Sequence, residues 1–358
     1  MAAYTKNMSE TPEEIEMRHK LLEEFKSVSF SQGYCKWFDI FEKGVNEDMR
    51  RNVNQNSELI LWEILNLSEV TSPVRLMDFG GGKGGPIQAV CRKMESLHKQ
   101  MIISVVEPKK EYLDQYKVSI DRISNACLDI TYCGQFQEYY GQSIDDLRAK
   151  RAYPQQLQDR ALAVHVLYHL TSIFHDPYDP YEDMKQAVFA MYAILKPGGQ
   201  MVIVMCNHAD NLIGIAPLKC CEILSPEKVD NYKEIYQVWQ KLLFSGAIAD
   251  VINASFPIFK ATFQQKKVVH HVVLPTLAEV GALASGTSFL GLCADQSPFD
   301  QRVVQFCMDY VKSDGYKHGL YLDRMDFDNN ITYNCARQQC CVTTKGHGYQ
   351  NFNMAADL

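Results

Sequence analysis

No apolar run in this 358-residue sequence approaches the roughly 18–20 residues that span a bilayer, so no membrane-crossing helix is expected. Met1 to Glu24 are polar and charged and lack the apolar centre of a secretory signal. The twelve cysteines contain no C-x-x-C, and the adjacent pairs Cys220-Cys221 and Cys340-Cys341 are poor zinc spacings. Reduced thiols, a cytoplasmic location and no structural metal are the expectation. Lys and Arg occur in nothing longer than short doublets, and the net charge is −7. That balance argues against a nucleic-acid partner and suits a small, often cationic, substrate. No internal repeat and no low-complexity stretch interrupts the chain. With 46% hydrophobic and 22% charged residues it has the make-up of a folded enzyme rather than of a disordered chain.

What the sequence does have is Val74-Arg-Leu-Met-Asp-Phe-Gly-Gly-Gly-Lys-Gly-Gly-Pro86. Val74 to Met77 read as a buried strand, Gly80 to Gly85 as a tight turn, and Ile87 to Met94 as a helix. Strand, glycine turn and helix start together build a nucleotide or nucleoside pocket at a strand's carboxyl end. Gly80, Gly82 and Gly85 fit the dinucleotide spacing; Gly80, Gly82 and Gly84 equally fit that of S-adenosylmethionine enzymes. Asp78 favours the second, because a carboxylate beside the first glycine repels a pyrophosphate and attracts an ammonium and a sulfonium. Met101-Ile-Ile-Ser-Val-Val-Glu-Pro108 is a second buried strand ending in Glu107, 22 residues after Gly85. An acid there can accept both ribose hydroxyls in either cofactor class.

The alternation continues. Leu162 to His169 is an apolar strand running into a turn, Ala187 to Leu195 has helical spacing, and Lys196-Pro-Gly-Gly199 stops that helix before an apolar strand at Gln200 to Cys206. The order D-F-G-G-G-K-G, V-V-E-P, L-K-P-G-G resembles the S-adenosylmethionine-dependent methyltransferase superfamily. The resemblance implies an α/β fold: a Rossmann-like class I methyltransferase, with a seven-stranded, mostly parallel sheet, helices on both faces and a helical cap. Residues 1–27 read as a polar leader, helical from Pro12. Residues 28–345 read as one methyltransferase domain: a helical lid at 28–72, a cofactor-binding core at 73–206, and a substrate cap with closing strands at 207–345. Residues 346–358 read as a tail. Lys228 to Phe244, Thr276 to Leu283 with Glu279 on its polar face, and Phe299 to Ser313 are expected helices. His270 to Leu274 and Thr332 to Thr344 are expected strands.

Tyr34, Trp37, Phe38 and Phe41 repeat at helical spacing and could be either an amphipathic face docked on the core or an aromatic lid over a cationic substrate. Glu47 follows as a carboxylate for that cation. F-S-Q-G-Y34, Phe38, Phe41 and N-E47-D-M, followed by G-G-G, V-V-E-P and V-L-Y168-H, resemble the histamine N-methyltransferases and their relatives. That resemblance implies aromatics from the helix around the substrate, Glu47 as a substrate-binding acid, and an aromatic pair after the fourth strand. Tyr168 keeps the first of that pair and His169 replaces the second; Asn334 or Asn330 would match a C-terminal substrate asparagine.

Cofactor contacts are expected from Asp78, Gly80, Gly81, Gly82 and Gly84, from Glu107, Pro108 and Tyr112, from Val164 and His165, and from the Cys133–Tyr139 stretch. In that stretch Gln135 and Gln137 would reach the adenine amine and Phe136 would pack on its ring. Glu47, Tyr168 and His169 are the expected catalytic group, with His169 as proton acceptor. The cofactor implied is S-adenosyl-L-methionine, and the acceptor is a small amine or imidazole. An O-methyltransferase of a phenol or carboxylic acid, a non-catalytic S-adenosylmethionine-binding protein and, remotely, a nicotinamide dehydrogenase stay open.

Overall fold

In the computed structural model the described residues are 11–26, 30–51, 57–142, 144–150, 154, 156–167, 170, 179–206, 212–256, 259–286, 301–315, 320–321 and 326–340. The strands are β1 (Val74–Phe79), β2 (Met101–Glu107), β3 (Ala126–Cys133), β4 (Gln158–Val164), β5 (Leu195–Cys206), β6 (Phe259–Val273), β7 (Leu320–Tyr321) and β8 (Asp326–Cys340). They form an eight-stranded sheet in the order β3-β2-β1-β4-β5-β8-β6, with the two-residue β7 beside β8. The five strands β1 to β5 are parallel neighbours, and β8 is antiparallel to both β5 and β6. The expected Rossmann-like core is therefore present as five parallel strands.

The helices before and within that core are α1 (Pro12–Glu24), α2 (Phe30–Arg51), α3 (Ser57–Leu65), α4 (Gly85–Ser96), α5 (Lys110–Asp121), α6 (Phe136–Tyr140), α7 (Ile144–Ala149) and α8 (Pro180–Ala193). Beyond it come α9 (Leu212–Leu224), α10 (Val229–Trp239), α11 (Ile248–Ser255), α12 (Leu277–Gly286) and α13 (Gln301–Asp314). Strand residues alternate between two apolar cores, one on each face of the sheet. Leu76, Ile103 and Val105 pack with α4 and α5; Met77, Phe79 and Val106 pack with α8 and the later helices. α1 and α2 lie against α12, and α2 also runs along β6.

β2 follows its expected range, but other strands differ from the reading above: β1 runs on to Phe79 and β8 already begins at Asp326 rather than Thr332. β4 begins at Gln158 rather than Leu162, because Asp159 and Arg160 are buried polar residues with dedicated partners. Asp159 Oδ2 accepts the Arg75 N–H at 2.9 Å, and Arg160 Nε donates to the Leu65 carbonyl at 2.6 Å. β5 begins at Leu195 and takes in the Lys196-Pro-Gly-Gly199 stop, which forms an irregularity opposite Gln158 and Arg160. β6 is 15 residues long, although only its end from His270 was expected. Glu279 is not on a polar face: it is 5% exposed on α12, where it accepts from Lys43 Nζ of α2 at 2.6 Å.

Candidate functional site

The chain passes from β1 outward to β2 and β3, then returns to lay β4 on the other side of β1. Ligands of open α/β sheets bind at the carboxyl ends of the strands where the order reverses in this way. The Gly80–Gly85 turn stands there, between β1 and α4. Gly80, Gly82 and Gly84 have φ of 69°, 55° and 83°, in the left-handed region that glycine adopts freely. At Gly80 the requirement is also steric: a Cβ would lie 2.2 Å from Val166 Cγ2, in the segment after β4.

Two buried acids face this turn. Glu107, 5% exposed, ends β2; its Oε2 accepts the Gly82 N–H and its Oε1 the Lys109 N–H, each at 2.9 Å. Burial pushes its pKa up, against the pull of those two amides. Asp78, 4% exposed, accepts from Tyr116 Oη of α5 at 3.0 Å. Burial raises its pKa to about 7; the Tyr116 hydroxyl opposes the rise and the nearby Glu107 adds to it. Tyr116 was not singled out in the sequence. Its ring lies under the turn, 2.6 Å from where a Cβ of Gly81 would be, so it supports the loop and holds Asp78 together.

Two of the donors a phosphate would use are spent or missing here. The Gly82 N–H is taken by Glu107, and Pro86 leaves a gap in the first turn of α4, where N–H groups would otherwise converge on an anion. The arrangement suits a cation or a ribose better than a pyrophosphate.

α2 lies across the open side of the crevice. Phe38 is 4.0 Å from the Cβ position of Gly82 and 5.7 Å, ring to ring, from Tyr112. Phe41 meets His165 edge-on at 6.0 Å. His165 follows β4 at φ 56°, and its Nδ1 lies 3.6 Å from Cys206 Sγ at the end of β5. Phe38, Phe41, Tyr112 and His165 are thus brought together over the carboxyl ends of β1, β2 and β4. Trp37, expected in the substrate group, is 6% exposed and its Nε1 donates to the Leu283 carbonyl at 2.7 Å, so it anchors α2 to α12.

Lys83, the one side chain among the loop glycines, points to α2. Its Nζ is 2.9 Å from Asp39 Oδ1 and 2.7 Å from Glu42 Oε2, and 5.4 and 5.2 Å from the Phe38 and Tyr112 ring centroids. Neither it nor the two acids was expected in the site, though a lone lysine among glycines was a visible signal.

In the Cys133–Tyr139 stretch, Gln135 is exposed and caps α6 with Glu138. Gln137 is half-buried. Phe136 is 4% exposed and stacked on Phe79 at 4.3 Å, so its ring packs into the core. Val164 ends β4 half-buried, and Pro108 is exposed after β2. The side chains of Tyr34, Glu47 and Asn334, and residues Tyr168 and His169 altogether, lie outside the described residues. Among the described residues no group of three or more His, Cys, Asp or Glu is placed to hold a metal ion, and no helix is long and apolar enough to cross a membrane.

No known protein family and no curated protein matches the chain. Similar solved structures include the cyclase SpnF, 14% identical over 80% of this chain and 83% of that one, with a TM-score of 0.41. The plantazolicin methyltransferase BpumL, solved with S-adenosylhomocysteine (SAH), is 11% identical over 91% of this chain and 98% of that one, with a TM-score of 0.40. The CcbJ methyltransferase from Streptomyces caelestis is 16% identical over 43% of this chain and 50% of that one, with a TM-score of 0.29.

Proposed function

We propose that the chain is an S-adenosylmethionine-dependent methyltransferase acting on a small-molecule acceptor, an amine or imidazole nitrogen. The observation that carries the reading is the Glu107 carboxylate on the Gly82 N–H at 2.9 Å, with buried Asp78 close behind it. A dinucleotide would have to displace a carboxylate from the donor its phosphates need, and would then face two acids. A nucleoside carrying an ammonium and a sulfonium meets the same two acids as partners. The sheet also departs from the parallel six-strand dinucleotide order, because antiparallel β8 stands between β5 and β6.

The residues present fit this cofactor. Glu107 would take the ribose hydroxyls on the lone pairs that the two amides leave over, and Asp78 would face the cationic end. When bound, S-adenosylmethionine supplies a methyl group on a sulfonium, which passes to the acceptor nitrogen as the S–CH3 bond breaks and its electron pair stays on sulfur. The chain's own task is to hold the acceptor in line and keep water away. Phe38 and Phe41 would form the apolar wall for that, with α1, α2 and the helices α9 to α12 as the cap. In this reading Glu47 anchors an acceptor ammonium and Tyr168 positions the nitrogen. His169 takes the proton the nitrogen loses on methylation.

The test is a methyl-transfer screen with labelled S-adenosylmethionine over biogenic amines, imidazoles, phenols and short carboxylic acids. Labelled amine or imidazole products support the reading. Turnover confined to phenols or acids replaces it with O-methylation, and cofactor binding without any turnover replaces it with a non-catalytic role.

A further inference from the structure

We infer that Lys83 is a latch that holds α2 down over the cofactor half of the crevice and so sets how fast the spent nucleoside leaves. The inference rests on the cofactor reading above.

The glycine turn carries one reaching side chain, and it reaches across to α2. Asp39 and Glu42 are three residues apart, so they stand on one face of that helix and take the same ammonium from two directions. Phe38 and Tyr112 present ring faces to it. Since Tyr112 belongs to α5, one lysine ties together the loop, the lid helix and the helix that follows β2. The surrounding acids raise the Lys83 pKa despite partial burial, so the charge is kept.

The placement of the latch matters as much as its partners. Phe38 stands 4.0 Å from the Cβ position of Gly82, whose N–H is bound by Glu107. A nucleoside held by Glu107 and the turn therefore has α2 across its way out. On its other side α2 is fixed by buried contacts. Trp37 is bonded to the Leu283 carbonyl, and Gly44 fits so closely against β6 that a Cβ there would come within 2.5 Å of Val272 Cγ1. The tie on the loop side is ionic and partly in water, with Lys83 24% and Asp39 64% exposed. Salt weakens the second kind of contact and spares the first. Opening is therefore expected at the Lys83 edge, with the α12 and β6 side acting as the hinge. Lys83 is a positioning residue in this account: it acts through α2 and touches no reacting atom.

The test uses two measurements on the full chain and the variants Lys83→Met, Lys83→Arg and Glu42→Gln. Hydrogen exchange of residues 30–51 in ligand-free protein reads the latch, and stopped-flow dissociation of SAH reads the gate. Lys83→Met should speed both by about tenfold, while Glu42→Gln and Lys83→Arg, which keeps the charge but not the compact ammonium, should each speed both less. Raising NaCl from about 0.1 to about 1 M should speed both in wild type and change little in Lys83→Met. Unchanged α2 exchange in Lys83→Met, with the rest of the sheet equally protected, overturns the latch. Faster α2 exchange with an unmoved SAH off-rate overturns the gate. If wild type binds no SAH, the cofactor reading fails, and the exchange measurement still decides whether Lys83 holds α2.

Discussion

Tyr116 donates its hydroxyl hydrogen to Asp78 Oδ2 at 3.0 Å from beneath the glycine turn, so the ring that supports the loop also tunes the acid behind it. The hydrogen bond favours the ionised carboxylate, against a burial that favours the neutral one. Tyr116→Phe keeps the ring and removes the bond. At pH 7 it should weaken binding of S-adenosylmethionine about tenfold or more, the worth of one hydrogen bond to a charged group. The deficit should shrink at pH 8.5, where Asp78 ionises without help. Calorimetry at the two pH values checks this; equal deficits at both would separate Tyr116 from the titration of Asp78.

Asp78 also gives the ligand-free protein a pH-dependent stability. Its folded pKa, about 7, lies above its ordinary 3.8, so between those values the folded state binds the proton and the unfolded state does not. The contribution to stability is fully present below 3.8 and is lost as pH rises through about 7; the gap corresponds to on the order of 4 kcal/mol at most. Asp78→Asn should therefore melt higher than wild type at pH 8 and close to it at pH 4, while losing cofactor affinity. A lower melting point for the variant at pH 8 contradicts a costly buried charge. Cofactor affinity in wild type should run the other way and rise as pH climbs through 7, because the cationic ligand needs the ionised form.

Glu107→Ala removes the acceptor from the Gly82 and Lys109 amides and from the proposed ribose contact. Charge-assisted hydrogen bonds are worth roughly 1.5–3 kcal/mol each, so SAH affinity should fall at least about tenfold. Affinity within about twofold of wild type by calorimetry would leave Glu107 as a strand-end cap and nothing more.

Gly81→Ala tests the packing under the turn. The added methyl would lie 2.6 Å from Tyr116 Cε2 and 2.7 Å from Val105 Cγ2, both in a filled core. Overpacking of this kind costs about 1–3 kcal/mol, so the denaturant midpoint should drop clearly. An unchanged midpoint would mean that Tyr116 moves aside easily and cannot be fixing Asp78.

How much of this was legible in the sequence depended on whether a residue's partner was near in the chain. β2 could be read to its ends because Met101 to Val106 is an apolar run, broken only by the small Ser104, and closed by Glu107 and Pro108. The glycine turn and both acids announced themselves for the same local reason. β6 was mostly missed, because Gln264-Gln265-Lys266-Lys267 breaks the alternation that marks a strand; what makes it one is its ladder to β8. The expected strand starts at Leu162 and leaves out Arg160, whose partner is the carbonyl of Leu65, 95 residues away. The Trp37 anchor spans 246 residues and the Lys83 pairs 44 and 41, distances at which helical spacing says nothing about which face meets what.

Glu47→Gln tests the acceptor side by keeping shape and removing charge. For a cationic acceptor it should raise KM, or lower kcat/KM, by roughly tenfold or more. An acceptor that is neutral or anionic should feel little change or gain. Steady-state kinetics on the best acceptor from the screen decide it, and an unchanged kcat/KM with an amine acceptor removes Glu47 from the site.

The central claim is that this crevice takes a cationic nucleoside rather than a dinucleotide, and calorimetric titration of the purified chain with S-adenosylmethionine, SAH and NAD tests it most directly. The account predicts saturable one-to-one binding of the first two, weakened by Glu107→Ala, and no binding of NAD. Tight NAD binding with no heat from S-adenosylmethionine or SAH would contradict it.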